Sequence, residues 1–304
     1  LNTATRGGRR EFPSVALIVA DNASGTKTVT IYDLDDPSMP MWMVFNGGDV
    51  VSTDGTNELF VNTQTLTSIF ALNGRLSVGA TGYGYHSVNF TDETIEFREN
   101  GYYRTYAGGV VNRNGGLTMS ADLGSSGWLA HDAVNDIAMT VLEGAELGAL
   151  GLPIPTIGVA TAGGVSVIHP NGSVYDLKDS TATNRSYSDV RFRESGDIFA
   201  WSSMNGTAHS WYAHQLYSDH TNASDLFKYD EGDNANLPNL LSDSTQTIEV
   251  GKGSVFTGGS NGLSIVKENL ANPVEGASAH ITSTYNTGYM LGDIRLALAA
   301  PYHT

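Results

Sequence analysis

The sequence predicts an all-β fold assembled from a repeated strand unit, and three observations predict it. Charged residues are only 16% of the 304 residues while glycine reaches 35, a balance that favours turn-rich sheet over helix or disorder. No segment holds a 3.6-residue apolar period with caps. The one helix candidate, Ala145 to Leu150, is too short to sustain itself. Instead, five stretches repeat a turn followed by alternating apolar residues. Examples are Gly164-Val165-Ser166-Val167-Ile168, Asn261-Gly262-Leu263-Ser264-Ile265-Val266 and Thr28-Val29-Thr30-Ile31-Tyr32. This is the pattern of strands with one buried face, and its regular recurrence in a chain of this length predicts a β-propeller.

Residues 1–12 read as a linker or N-terminal arm and 13–300 as the propeller. Each blade needs an inner strand, two middle strands and an outer one. The first unit, 15–45, runs through Val15 to Ala20, Thr28 to Asp33 and Trp42 to Phe45, with no inner strand before them. The second, 66–97, has Ser68 to Leu72, then Asn73-Gly74, then Leu76 to Gly79; Asn-Gly is the strongest two-residue hairpin signal. In the third, 132–177, Asp136 to Met139 is followed by Thr156 to Ala160 only after a loop through Gly144 to Pro155. The fourth, 188–230, turns at Ser195-Gly196 between Asp189 to Phe192 and Asp197 to Trp201. The fifth, 247–285, turns at Gly251-Lys252-Gly253 between Ile248 to Val250 and Ser254 to Thr257.

Near the C-terminus, Asp293 to Leu298 resembles an inner strand with no strand after it. It is expected to pair with Val15 to Ala20, so that 291–299 and 15–45 complete one blade and close the ring without exposed edges. Five blades are favoured. Residues 48–65, with a hairpin through Val50-Val51 and Leu59-Phe60-Val61, and the Gly- and Tyr-rich 100–128 read as insertions. If either were a blade, the ring would have six or seven.

The net charge of −16 repels phosphate backbones, so nucleic acid is not an expected partner. The absence of cysteine excludes a disulfide scaffold, thiol catalysis and thiolate metal sites. The apolar run Ala16 to Ala20 is too short for membrane insertion and reads as a buried strand. Leu1 is not a methionine, which suggests a chain that begins inside a longer polypeptide.

Among chemistry-bearing residues, Asp136, Asp189 and Asp293 each precede a β-branched residue on an inner strand, with Glu249 near the same register. Converging carboxylates could hold Ca²⁺ or act as an acid–base pair; the commoner role of Asp there is to cap the turn through local backbone bonds. His209 and His214 differ by five positions, which places them on opposite faces of a regular strand and not around one metal. His131-Asp132 has no accompanying Gly-x-Ser-x-Gly nucleophile. Tyr83, Tyr85, Tyr102, Tyr103 and Tyr106 cluster in or near an insertion, where sugar-stacking residues tend to sit, although tyrosines also pack between sheets. The acidic turn Asp230-Glu231-Gly232-Asp233-Asn234 lacks the spacing of a calcium loop.

The wording of several segments resembles virion proteins of marine tailed phages and prophages. These segments are Phe12 to Val19, Val29 to Pro37 with Pro40 to Phe45, Val134 to Leu142, Leu152 to Thr161 and Ile281 to Met290. In those proteins such a propeller-like region belongs to a long tail-fibre or tail-appendage polypeptide, often followed by a lectin-like sandwich. The resemblance implies a non-enzymatic role in the virion tail, outside the cell. Other virion proteins, further copies of the chain in a homo-oligomer and a host surface glycan would be its partners, and no cofactor is implied. Two other readings stand beside it. A glycosidase or polysaccharide lyase would bring Asp136, Asp189 and Asp293 within reach of one another. A bacterial lectin-like adhesin would repeat an aromatic at one blade position, and none recurs.

Overall fold

A computed structural model describes residues 11–23, 27–47, 56–57, 59, 64–114, 117–178, 186–194, 196–202, 207–212, 219–221, 227–230, 247–251, 253–259, 262–267, 269, 277–282 and 296–299. Among them there is no α-helix, and so none long and apolar enough to cross a membrane. The protein is all-β, made of small, mostly antiparallel sheets, and 15–45, 66–97, 132–177, 188–230 and 247–285 each supply the main strands of one sheet. The chain packs as two compact units, 1–134 with 148–152, and 135–147 with 153–304.

In the first unit, β1 (Ala16–Asp21), β2 (Thr28–Asp33) and β3 (Met41–Asn46) form a three-stranded sheet. After β4 (Thr56–Asn57), β5 (Leu66–Leu72), β6 (Arg75–Ala80), β7 (Tyr85–Asn89) and β8 (Thr94–Glu99) follow as an antiparallel meander. The β5–β6 turn is the expected Asn73-Gly74 pair, with φ of 49° and 74°. Two positive values in succession match the twist of the flanking strands. Strand β6 is buried along nearly its whole length. Its Leu76 and Val78 join Ile31, Trp42, Phe45 and Ile95 in one core.

Among the described residues, 48–65 and 100–128 add short strands to this unit. β9 (Tyr102–Thr105) adds a fifth strand beside β8, and β10 (Leu117–Thr118) pairs with β4. Val50, Val51, Phe60 and Val61 of the expected hairpin lie outside the described residues. A 3-10 turn at Gly109–Asn112 is latched to β3: Arg113 Nε and Asn114 Nδ2 both donate to the Val44 carbonyl, at 3.2 and 2.9 Å.

β11 (Val134–Thr140) leads from the first unit into the second, followed by β12 (Thr156–Thr161), β13 (Gly164–Ile168) and β14 (Val174–Lys178). The next sheet contains β15 (Tyr187–Phe192), β16 (Asp197–Ser202) and β17 (Thr207–Tyr212). The short β18 (His220–Thr221) runs parallel to β14 and widens the earlier sheet, while β19 (Phe227–Asp230) completes the later one. β20 (Thr247–Gly251), β21 (Ser254–Gly259), β22 (Gly262–Lys267) and β23 (Ala277–Thr282) form the last meander. Strands β12 and β16 are buried at every position, as central strands covered on both faces should be. Trp201 and Phe199 are fully buried against Ile248, Val255 and Val266. Large aromatic side chains each contribute about 1.5–3 kcal/mol by leaving water.

One expectation is corrected. The C-terminal strand β24 (Leu296–Ala299) pairs with β23, antiparallel, as the outer strand of the last sheet, and not with Val15 to Ala20. A return over the short connection 283–295 closes a much smaller loop than a pairing with the other chain end. Asp293 itself lies outside the described residues.

Candidate functional site

The first strands of successive sheets in the second unit bring two of the expected acids together. Asp136 on β11 and Asp189 on β15 both contact the Arg191 guanidinium, at 2.5 and 2.6 Å from Nη1. Glu249 on β20 reaches its Nε at 3.2 Å. The cation between Asp136 and Asp189 is therefore a side chain of the same sheet as Asp189. Each aspartate also accepts a backbone N–H from the first strand of the next sheet: Val190 N donates to Asp136 Oδ2 at 3.1 Å, and Ile248 N to Asp189 Oδ2 at 2.9 Å. Asn135 adds a third tie, donating to the Tyr187 carbonyl at 2.7 Å. In the first unit Thr67 on β5 donates in the same way to the Val134 carbonyl at 2.7 Å. Within the second unit, Asp136, Asp189 and Asn135 thus tie the first strands of successive sheets together.

Burial, with the hydrogen bond and charge of Asp136, pushes the Asp189 carboxyl up to about 7; the Ile248 N–H and Arg191 oppose this and are outweighed. Asp189 is buried and Asp136 only slightly open. Chemically, the Asp189 carboxyl holds its proton well above the usual carboxylate range. Sequence reasoning found both acids but missed Arg191. The signal was present, because Arg191 stands two positions after Asp189 and so shares its strand face.

The five tyrosines do not form one surface. Tyr85 is fully buried on β7, bonded to Ser77 Oγ at 2.6 Å. Tyr106 is buried and stacks on His86 at 6.5 Å between ring centroids. Neither presents a ring for sugar stacking, so that expectation is corrected for both; Tyr106 packs into the core of the first unit and Tyr85 is buried against Ser77. Burial raises both hydroxyl pKa values. Tyr83 is half-buried before β7.

Tyr102 and Tyr103, adjacent on β9, face opposite ways. Tyr102 is 43% exposed and carries the Arg104 guanidinium at 4.2 Å from its ring centroid. Tyr103 is covered by Arg98, directly opposite in register, at 3.7 Å. Arg98 is buried, bridges to Glu96 at 3.2 Å and donates to the Gly127 carbonyl. Asp122 organises the far edge of β9. Its Oδ1 accepts Tyr103 N–H at 2.8 Å and Trp128 Nε1–H at 3.2 Å, and these bonds, Tyr103 first, hold its carboxyl below the usual range. Nearby, burial and then Asp132 push Glu99 up to about 7. His131 accepts the Ala133 N–H at Nδ1, a local turn bond. His209 lies on β17 and His220 on β18, while His214 is outside the described residues.

No family model matches the sequence, and no curated protein matches it. Among solved structures, the chain is similar to the β-propeller domain of Cps50 (Swd1) from Myceliophthora thermophila, with 8% identity over 95% of this chain and 72% of that one, at a TM-score of 0.46. It is similar to the computationally designed Ika8 protein, with 12% identity over 88% and 87% of the two chains, at 0.38. It is also similar to apo AztD from Citrobacter koseri, with 6% identity over 84% and 67%, at 0.41. All three overlaps are loose.

Proposed function

We propose that this chain is a non-enzymatic, five-bladed propeller of a phage tail fibre or related appendage, serving assembly or host-surface contact. The observation that carries the scaffold part is the use of Asp136 and Asp189. Both are spent on backbone N–H groups of neighbouring strands and on Arg191, which suits a frame held rigid and not a site that must open to substrate. The virion part rests on the wording of the segments from Phe12 to Phe45 and from Val134 to Thr161. Host or glycan contact would use the exposed Tyr102 of the 100–128 insertion, whose ring has the half-buried Arg104 guanidinium over one face.

Antibodies raised against the chain, applied to tailed particles from the strain that carries the sequence, test this reading. Gold label at the tail supports it; label on the cells and none on particles rejects it. One observation favours a second reading: an Asp189 carboxyl near neutral beside Asp136 is the equipment of a general acid. Release of reducing or unsaturated sugar ends from capsule by the wild type, and none by Asp189→Asn, would establish a glycosidase or lyase in its place.

A further inference from the structure

The first unit contains a cavity of about 270 Å³, lined by Phe12, Trp42, Phe90, Glu93, Leu150 and Leu152 among others. Its wall is an aromatic cluster. Phe12, Trp42 and Phe90 meet edge-on, with centroids 4.9, 5.1 and 5.6 Å apart and planes inclined by 61–68°. The rim is open and apolar, with Phe12 42%, Leu150 70% and Leu152 41% exposed.

The polar groups of this lining are mostly committed. Trp42 Nε1 donates to the Glu11 carbonyl at 2.8 Å, and Thr91 Oγ1 donates to Asn89 Oδ1 at 2.7 Å. A sugar would find few partners there. Glu93 is the one ionisable side chain among the described lining residues, and it is exposed. Its backbone is fixed in a left-handed conformation, φ 56°, by the Val110 N–H bonding to its carbonyl at 3.0 Å. Gly109 permits that approach, since a Cβ there would fall on the same carbonyl. An acidic residue on a fixed backbone thus lines an aromatic-walled pocket with no basic residue in its described lining. Aromatic faces attract cations, and a chain of net charge −16 adds to the pull.

We propose that this cavity binds a small organic cation with an apolar body, of the quaternary or alkylated ammonium class. A cavity of about 150 Å³ holds benzene, so this one has room for such a molecule. The site is separate from the Tyr102–Arg104 pair.

Calorimetric titration of the full chain with choline and with its neutral isostere 3,3-dimethylbutan-1-ol tests the proposal. Choline should bind about tenfold more tightly than the alcohol. Glu93→Gln should bring the two within about twofold, and Phe12→Ala, at an exposed ring, should weaken choline by a similar factor. Equal affinity of the two compounds, a preference unchanged in Glu93→Gln, or no binding by either compound to a folded wild type would overturn it.

Discussion

His86 is wholly buried between Phe97 and Tyr106. Burial pulls its pKa down to about 4, against a weaker opposing hydrogen bond to the Tyr83 backbone. Between pH 6.5 and 4 the unfolded chain takes up a proton that the folded chain refuses, so stability from this group falls as the pH drops through that window. From pH 7.5 to 5 the loss is about 2 kcal/mol. In urea titrations at those pH values, His86→Phe should lose less stability than the wild type by about that amount, whatever its absolute stability. Equal losses would mean that His86 charges inside the fold. Asp189 has the opposite sign. It keeps its proton to about 7 when folded and releases it near 3.9 when unfolded, so its contribution declines as the pH rises through that range. Asp189→Asn should remove this decline and retain an acceptor for the Ile248 N–H. Asp189→Ala should cost about 1–3 kcal/mol more than Asn, because it strands that donor. Comparable midpoints for Asn and Ala at pH 5 would show that the bond contributes nothing.

At the scale of elements, the strands and turns were legible because local chemistry decides them. Asn73-Gly74 announced a hairpin and formed one with both φ values positive. The strand starts in 66–97, 132–177, 188–230 and 247–285 fall within a residue or two of expectation, since period-2 patterning fixes which face is buried. What the pattern could not give was pairing over distance. β9 widens a sheet from within an insertion, and β18 leaves the stretch 188–230 to widen the sheet before it; a short polar strand such as His220–Thr221 carries no periodicity to read. For Arg191 the spacing from Asp189 was readable, but its contact with Asp136 from another strand was not. Tight approach leaves a testable mark at Gly84. Its φ is 58°, and a Cβ there would fall 2.0 Å from the Arg98 carbonyl oxygen, whereas Gly101, at φ 103°, has nothing within 4 Å. Gly84→Ala should therefore cost at least about 2 kcal/mol, and clearly more than Gly101→Ala, in chemical unfolding. Equal costs would mean that β7 and β8 shift apart freely.

At the scale of the whole molecule, termini and charge matter most. The inner-strand look of Asp293 to Leu298 suggested closure with the first sheet, yet Leu296–Ala299 extends the last sheet beside β23. An alternating run such as Leu-Ala-Leu-Ala fits any apolar edge, so sequence alone does not choose between near and distant partners. Charge is not ambiguous in this way. With 32 acidic against 16 basic residues, folding crowds like charges that the unfolded chain keeps apart. Screening reaches about 30 Å at 0.01 M salt and about 8 Å at 0.15 M, so much of that repulsion acts at low ionic strength and is lost at moderate ionic strength. The Arg191 cluster responds less, because its partners Asp136 and Asp189 are largely shielded from solvent. Net repulsion should therefore outweigh the few attractive pairs. Raising NaCl from about 0.01 to about 0.15 M should increase Tm by about 2–4 °C, equivalent to about 1 kcal/mol. A Tm that stays level or falls over that range, followed by calorimetry at constant pH, would show that local ion pairs, and not the overall charge, govern the electrostatics of folding.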